Sequence, residues 1–184
     1  MSAASSVGEI TIRRMRLEDV PVVHEIDTLS FSLPWPERLF RFEVTENAAS
    51  RGWVAEAVVN GASKIIAMLV LWLLVDEAHI ATVAVHPDFR RCGVASQIIA
   101  ASLEAARAEG AQWVFLEVRE GNVAAQEMYL KFGFEITGRR SRYYRDTGED
   151  ALLMALERLP ALAQVQVSVD TFLRYVPTCE RANG

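Results

Sequence analysis

Apolar and polar positions alternate along the chain in two rhythms, and their order predicts a mixed α/β domain. Residues 9–16, EITIRRMR, alternate as a half-buried strand does, and Leu17, Val20, Val23 and Ile26 then recur at helical spacing. Pro34 and Pro36 interrupt with a rigid LPWP turn, after which Leu39, Phe40 and Val44 open a second short helix. From Gly52 to Val85 the pattern is that of three consecutive strands, with NGAS and VDEA as hairpin turns and an antiparallel meander as the simplest product. The run IIAMLVLWLLV within it reads as a buried strand, because it falls well short of the roughly 20 apolar residues that cross a bilayer.

The second half changes rhythm again. Residues 93–110 are rich in good helix formers, carry apolar Val94, Ile98 and Leu103, and stop at Gly110. AQWVFLEVRE is the next strand, and a short helix follows, with Asn122 as its N-cap and Gly133 at its end. FEITGRRSRYY and DALLMALERL form a strand pair around the loop RDTGE. Residues 1–9 are expected to be a flexible lead-in, 10–159 the folded domain, and 160–184 a C-terminal extension in which AQVQVSV could add an edge strand.

Composition narrows the function classes. At 184 residues the chain suits one domain with a real core, and a 51% hydrophobic share fits a globular protein. The net charge of −5 argues against a general nucleic-acid binder, although FRR and GRRSRYYR are local basic clusters. Cys92 and Cys179 lie far apart, so neither a zinc site nor a disulfide framework is expected, and His24, His79 and His86 have no metal-like spacing. The N-terminus lacks the basic-then-apolar signature of a signal peptide. A soluble cytoplasmic protein with no membrane segment is the expectation.

The stretch VAVHPDFRRCGVAS, Val83 to Ser96, runs from a strand through a proline turn and two arginines into a helix. A P-loop or a dinucleotide fingerprint would need glycines at spacings that are absent. What remains is a helix N-terminus whose free N–H groups, from about Cys92 to Ser96, could hold an anion. Gly93 would allow close backbone approach, Ala95 would leave room, and Arg90 and Arg91 would add charge. A plain strand-to-helix connection with solvated arginines fits the local pattern as well. A thiol at Cys92, beside arginine and glycine, would have a lowered pKa and be open to modification.

With its neighbours, this stretch resembles the GNAT N-acetyltransferase superfamily. RRCGVA resembles the [QR]xxGx[GA] loop that holds the coenzyme A pyrophosphate, with Arg90, Gly93 and Ala95 matching; VAVHP precedes it and LEVREGNVAAQEMYLKFGF follows it in the family's order. The resemblance extends over about Ile10 to Leu159, including FSLPWPE, GRRSRYY and EDALLMAL, and is greatest to ribosomal-protein-alanine N-acetyltransferases and archaeal N-terminal acetyltransferases. It implies a mixed, mostly antiparallel twisted sheet of six to seven strands with about four helices, and a splayed strand pair that holds acetyl-CoA. It also implies a protein N-terminus as acceptor, of a ribosomal protein for instance.

The site follows from residues and resemblance together. Alternation puts Glu117 on the same strand face as Phe115 and opposite Leu116 and Val118, and the resemblance makes it the general base. Tyr129 would be the general acid or a donor to the coenzyme sulfur; packing beside Phe132 is its ordinary alternative. By resemblance Val83, Ala84 and Val85 offer backbone groups to the pantetheine arm, Asn122 adds a hydrogen bond, and Arg90 through Ser96, with Arg91, Cys92 and Val94, surround the pyrophosphate. Trp35, Tyr143 and Tyr144 would line the peptide entrance, Trp35 having simple packing as an equal alternative. Gly121 and Leu130 depart from the family's usual serine and acidic residue. Competing readings are an acetyltransferase for lysine or a small amine, a non-catalytic acetyl-CoA sensor, and, less favoured by the charge, a nucleic-acid adaptor.

Overall fold

The computed structural model describes residues 7–159; the expected edge strand AQVQVSV lies outside them. In chain order the elements are β1 (Val7–Arg14), α1 (Val20–Ser30), α2 (Glu37–Thr45), β2 (Ser50–Val59), β3 (Ala62–Leu74), β4 (Glu77–Val85), α3 (Val94–Ala108), β5 (Trp113–Arg119), α4 (Val123–Lys131), β6 (Glu135–Tyr144) and β7 (Glu149–Glu157). The strands form one mixed sheet in the order β1-β2-β3-β4-β5-β7-β6, antiparallel everywhere except between β4 and β5. β7 inserts between β5 and β6, so the last hairpin folds back into the sheet instead of extending it.

Burial on both faces explains the continuous apolar run in β3. Ala67, Leu69 and Leu71 face α3 on one side, while Met68 and Val70 face α1 and α2 on the other. Neither set can be polar. The α3 face is completed by Ile98, Ile99 and Leu103, and the opposite face by Val20, Val23, Ile26 and Phe40. Among the described residues no helix is long and apolar enough to cross a membrane.

Two boundaries differ from the sequence pattern. β1 begins at Val7, because Val7 pairs with Val59, so residues 7–9 belong to the strand and not to a lead-in. Leu17 does not join the helical stripe. It opens a single 3-10 turn, Leu17–Asp19, and is 45% exposed, while Asp19 is buried by ion pairing with Arg13 at 2.7 Å.

The sheet parts in its centre. β4 and β5 are parallel partners only from Glu77–Trp113 to Ile80–Leu116, although both strands continue beyond. At that point β4 carries a bulge: Leu71 pairs with Ile80 and Val70 with Thr82, leaving Ala81 without a partner on β3. A bulge bends its strand and increases local twist. The ends of β4 and β5 therefore diverge, and this is the splay implied by the resemblance.

Phe40 anchors α2 beneath this region, fully buried and 5.4 Å from the Trp35 ring, whereas Phe42 on the same helix is 44% exposed. Phe40→Ala is expected to cost about 3–5 kcal/mol in urea unfolding, and Phe42→Ala less than about 0.5 kcal/mol.

Candidate active site

The gap between β4 and β5 opens into a cavity of about 930 Å³. One wall is the end of β4. His86 N–H donates to Ile66 O at 2.8 Å, so by strand alternation the N–H and C=O groups of Val83 and Val85 turn away from β3 and toward the gap. Arg90 holds one of them: its Nε donates to Val85 O at 3.0 Å, and its NH2 group reaches Ser30 Oγ at 3.1 Å. The arginine thereby ties the turn both to β4 and to the end of α1.

The turn then delivers a helix start. Arg91 and Gly93 both have positive φ, 63° and 75°, and α3 makes its first backbone bond from Gln97 N to Gly93 O. The N–H groups of Val94, Ala95 and Ser96 precede that bond and have no carbonyl within the helix to reach. Ala95 lines the cavity. No Cβ would be crowded at Gly93, so glycine serves here for its left-handed backbone.

The facing wall carries the ionisable groups. Leu116 and Val118 are buried, and between them Glu117 turns its side chain to the cavity, 32% exposed, with Arg140 NH1 3.3 Å from Oε1. Tyr129 is set by the end of α4. Gly133 N–H bonds Leu130 O and Phe134 N–H bonds Tyr129 O, the paired reverse bonds of a glycine C-terminal stop, with Gly133 at φ 92°. This motif brings the Phe134 ring edge-on against Tyr129 at 5.6 Å. Burial pushes the Tyr129 phenol well above its ordinary range, with the neighbouring Tyr144 adding to the shift. Asn122 caps α4, its Oδ1 accepting from Ala125 N at 3.2 Å. Gly121 leaves space that Glu149 occupies: its Oε1 accepts Gly121 N–H at 2.6 Å and would lie 2.7 Å from an added Cβ.

The α1–α2 segment and the β6–β7 segment close the remaining side. Ser32 donates to Asp146, and Arg119 NH2 donates to the same carboxylate at 2.7 Å, holding it below the usual carboxylate range. These contacts clasp the two segments across the cavity. Arg119 also stacks over the Tyr144 ring at 3.9 Å, and burial pushes the Tyr144 phenol up to about 12 against that arginine's influence. Tyr143 meets Tyr144 edge-to-face at 5.2 Å. Trp35 both lines the cavity and packs against Phe40 and Trp72.

The cavity thus gathers Val83, Ala84, Val85, Ala95, Glu117, Asn122, Tyr129, Trp35, Tyr143 and Tyr144. Arg90, Arg91, Cys92, Gly93, Val94 and Ser96 form the turn and helix start beside it without lining it. Val94 is buried in the core under α3. The expectations of an accessible thiol and of no disulfide are corrected: Cys92 is 7% exposed and disulfide-bonded. His86 accepts from Asp88 N at 3.3 Å and so only shapes the proline turn.

Asp27 is the group that sequence reading missed. It lines the cavity at 1% exposure, and its Oδ2 accepts Trp35 N–H at 2.7 Å while Oδ1 is buried without a partner. Its signal was present, since Asp27 continues the Val20–Val23 stripe at helical spacing, and an acid on an apolar face is anomalous. Arg119 and Asp146 were missed for a different reason, because Ser32 and Asp146 are far apart in sequence.

Comparison with known proteins bears on this geometry. The model of the Acetyltransferase (GNAT) family matches residues 20–134. The ribosomal protein bS18-alanine N-acetyltransferase of Escherichia coli (strain K12) is 30% identical over 148 residues, covering 79% of this chain and 96% of that one. An N-alpha-acetyltransferase of Sulfurisphaera tokodaii is 32% identical over 158 residues, covering 80% of this chain and 92% of its own. The crystal structure of the ribosomal-protein-S18-alanine N-acetyltransferase from Escherichia coli superimposes with a TM-score of 0.73 at 28% identity, over 86% of this chain and 99% of that one.

Desolvation raises the Asp27 carboxyl to about 6, against the Trp35 N–H bond and His24, which lower it. A carboxyl raised above its unfolded value of 3.8 lends stability that is complete below about pH 4 and lost as pH rises through about 6. Asp27→Asn is therefore expected to gain thermal stability relative to the native chain as pH rises from about 4 to 7, with no further relative change above about 7. Paired melting curves across that range measure it, and a constant difference would contradict the assignment.

Proposed function

Because the chain belongs to the GNAT family of N-acetyltransferases, we propose that it transfers the acetyl group of acetyl-CoA to the α-amine of a protein N-terminus. The supporting observation is the clasp of Ser32, Asp146 and Arg119 across the cavity that also holds Glu117 and Tyr129. A site bridged in this way suits a slim chain end more than a side chain projecting from a folded surface. The N-acetyltransferases of Escherichia coli and Sulfurisphaera tokodaii that resemble this chain act, by their names, on a ribosomal-protein alanine and on α-amines.

In this reading acetyl-CoA lies in the gap between β4 and β5. Its pyrophosphate meets the free N–H groups at the start of α3, with Arg91 exposed beside them. Its pantetheine arm runs along Val83 and Val85, pairing with backbone groups as an added strand would. Arg90 holds Val85 O, which leaves the Val85 N–H and the Val83 groups for the arm. Asn122 stands where it can combine helix capping with a bond to the same arm.

The chemistry needs a neutral amine and a stabilised leaving sulfur. An α-amine has a reference pKa of about 7.7–8, so a carboxylate suffices as acceptor of its proton near neutral pH. Glu117 takes that proton as nitrogen attacks the thioester carbonyl. The C–S bond then breaks, and the electron pair leaves on sulfur. Tyr129, its phenol held well above the ordinary range, keeps its proton and serves as hydrogen-bond donor to the departing thiolate. Glu117 releases its proton to solvent, the thiolate takes one up from solvent, and the products are the N-acetylated terminus and coenzyme A.

Glu117→Gln is expected to lower kcat/KM by about 10²–10⁴-fold while coenzyme A binding, read by calorimetry, is kept. Tyr129→Phe should lose about tenfold to a hundredfold, the worth of one hydrogen bond to a charged atom. A panel comparing free α-amine peptides with N-blocked lysine peptides and polyamines tests the acceptor, and preference for the lysine peptides or polyamines would overturn it.

A further inference from the structure

The acceptor side of the cavity carries more positive charge than the transfer chemistry uses. Arg140, Arg142 and Arg145 all line it. Arg140 is engaged with Glu117 and lies 5.5 Å from the Tyr143 ring. Arg119 is engaged with Asp146, Thr147 and Glu149, and Asp146 is doubly taken by Arg119 and Ser32. The guanidinium groups of Arg142 and Arg145 make no ion pair or hydrogen bond among the described residues. Two cations therefore stand at this wall with no ion pair of their own, Arg142 sharing the field of Asp150, which Arg139 already pairs.

The backbone holds Arg142 there against its own preference. β6 and β7 pair in register to Arg140–Ala151 and resume only at Tyr144–Glu149, so Ser141, Arg142 and Tyr143 bulge out of the ladder. All three line the cavity. Arg142 sits at φ 51°, a left-handed conformation unfavourable for a non-glycine residue, and its N–H is fixed by Asp150 Oδ1 at 2.8 Å. Across the opening, Phe31 and Leu33 expose apolar surface at 37% and 61%.

Resting on the N-terminal reading above, we propose that this mouth selects acceptor chains with acidic residues immediately after the residue to be acetylated. Those residues must pass the mouth once the α-amine has entered, and carboxylates there would form charge-assisted bonds with Arg142 and Arg145. Lysines or arginines in the same places would be repelled. A peptide fits better than RNA, because the exposed arginines share the mouth with apolar Phe31, Leu33 and Tyr143 on a chain of net charge −5.

The test uses the full chain with acetyl-CoA and three peptides that begin with alanine and continue Asp-Glu, Ser-Gly or Lys-Lys. kcat/KM is expected to fall in that order, by about tenfold or more from the first to the last, with the difference in KM and shrinking as salt rises. Arg142→Glu with Arg145→Glu should invert the order; Arg142→Gln with Arg145→Gln, the milder pair, should flatten it. Equal rates for the three peptides, or an order that survives both double variants, overturns the proposal while leaving α-amine transfer standing. No turnover of any of the three, with N-blocked lysine peptides or polyamines acetylated, overturns the N-terminal reading instead. Inhibition by an RNA oligonucleotide that is relieved in the double variants, without any peptide charge preference, assigns the arginines to RNA and overturns the proposal too.

Discussion

The central cavity of this molecule depends on the early end of one strand pairing. β4 and β5 hold together from Glu77–Trp113 to Ile80–Leu116 and then part, and the bulge at Ala81 falls where they do. Parallel strands in a continuous sheet would have satisfied their own backbone groups and buried them. The parted strands instead leave Val83 and Val85 facing open space, with Glu117 across from them. The cost is met on either side: β4 is secured to β3 up to Val85, and β5 to β7 up to Arg119, so each half of the sheet is firm while the space between stays free.

Around that opening, ordinary helix-end physics places the chemical groups. Gly93 starts α3 in a left-handed conformation and presents its first amides beside the gap. Asn122 starts α4 with a side-chain cap, and Gly133 ends it so that Phe134 packs on Tyr129. Long-range contacts complete the enclosure, with Asp27 fixing Trp35 and with Ser32, Asp146 and Arg119 joining two loops. One wall of the cavity is thus made of side chains whose partners lie on different elements, while the other is made of backbone.

That division decides what could be read from the sequence. Local signals were legible: the double-faced burial of β3, the stops at Gly110 and Gly133, the cap at Asn122 and the outward turn of Glu117 all follow from neighbours within a few residues. The parting of β4 and β5 was not, because a bulge at Ala81 has no residue signature and depends on the register with β3. The place of β7 between β5 and β6 is likewise a matter of pairing partners. Arg90 shows the limit most plainly. Its motif position says nothing of the tie that its guanidinium makes between Val85 O and Ser30, a geometry that needs α1 and β4 brought together in space.

The short β4–β5 ladder also makes the molecule a pair of half-sheets joined by a narrow seam. If acetyl-CoA bridges the open part of that seam, as proposed, the ligand serves as a missing rung of the architecture as well as a reactant. Any ligand bound only by the folded state adds to its stability in proportion to the logarithm of its free concentration. The resistance of this protein to unfolding and proteolysis would then track the supply of its own acyl donor.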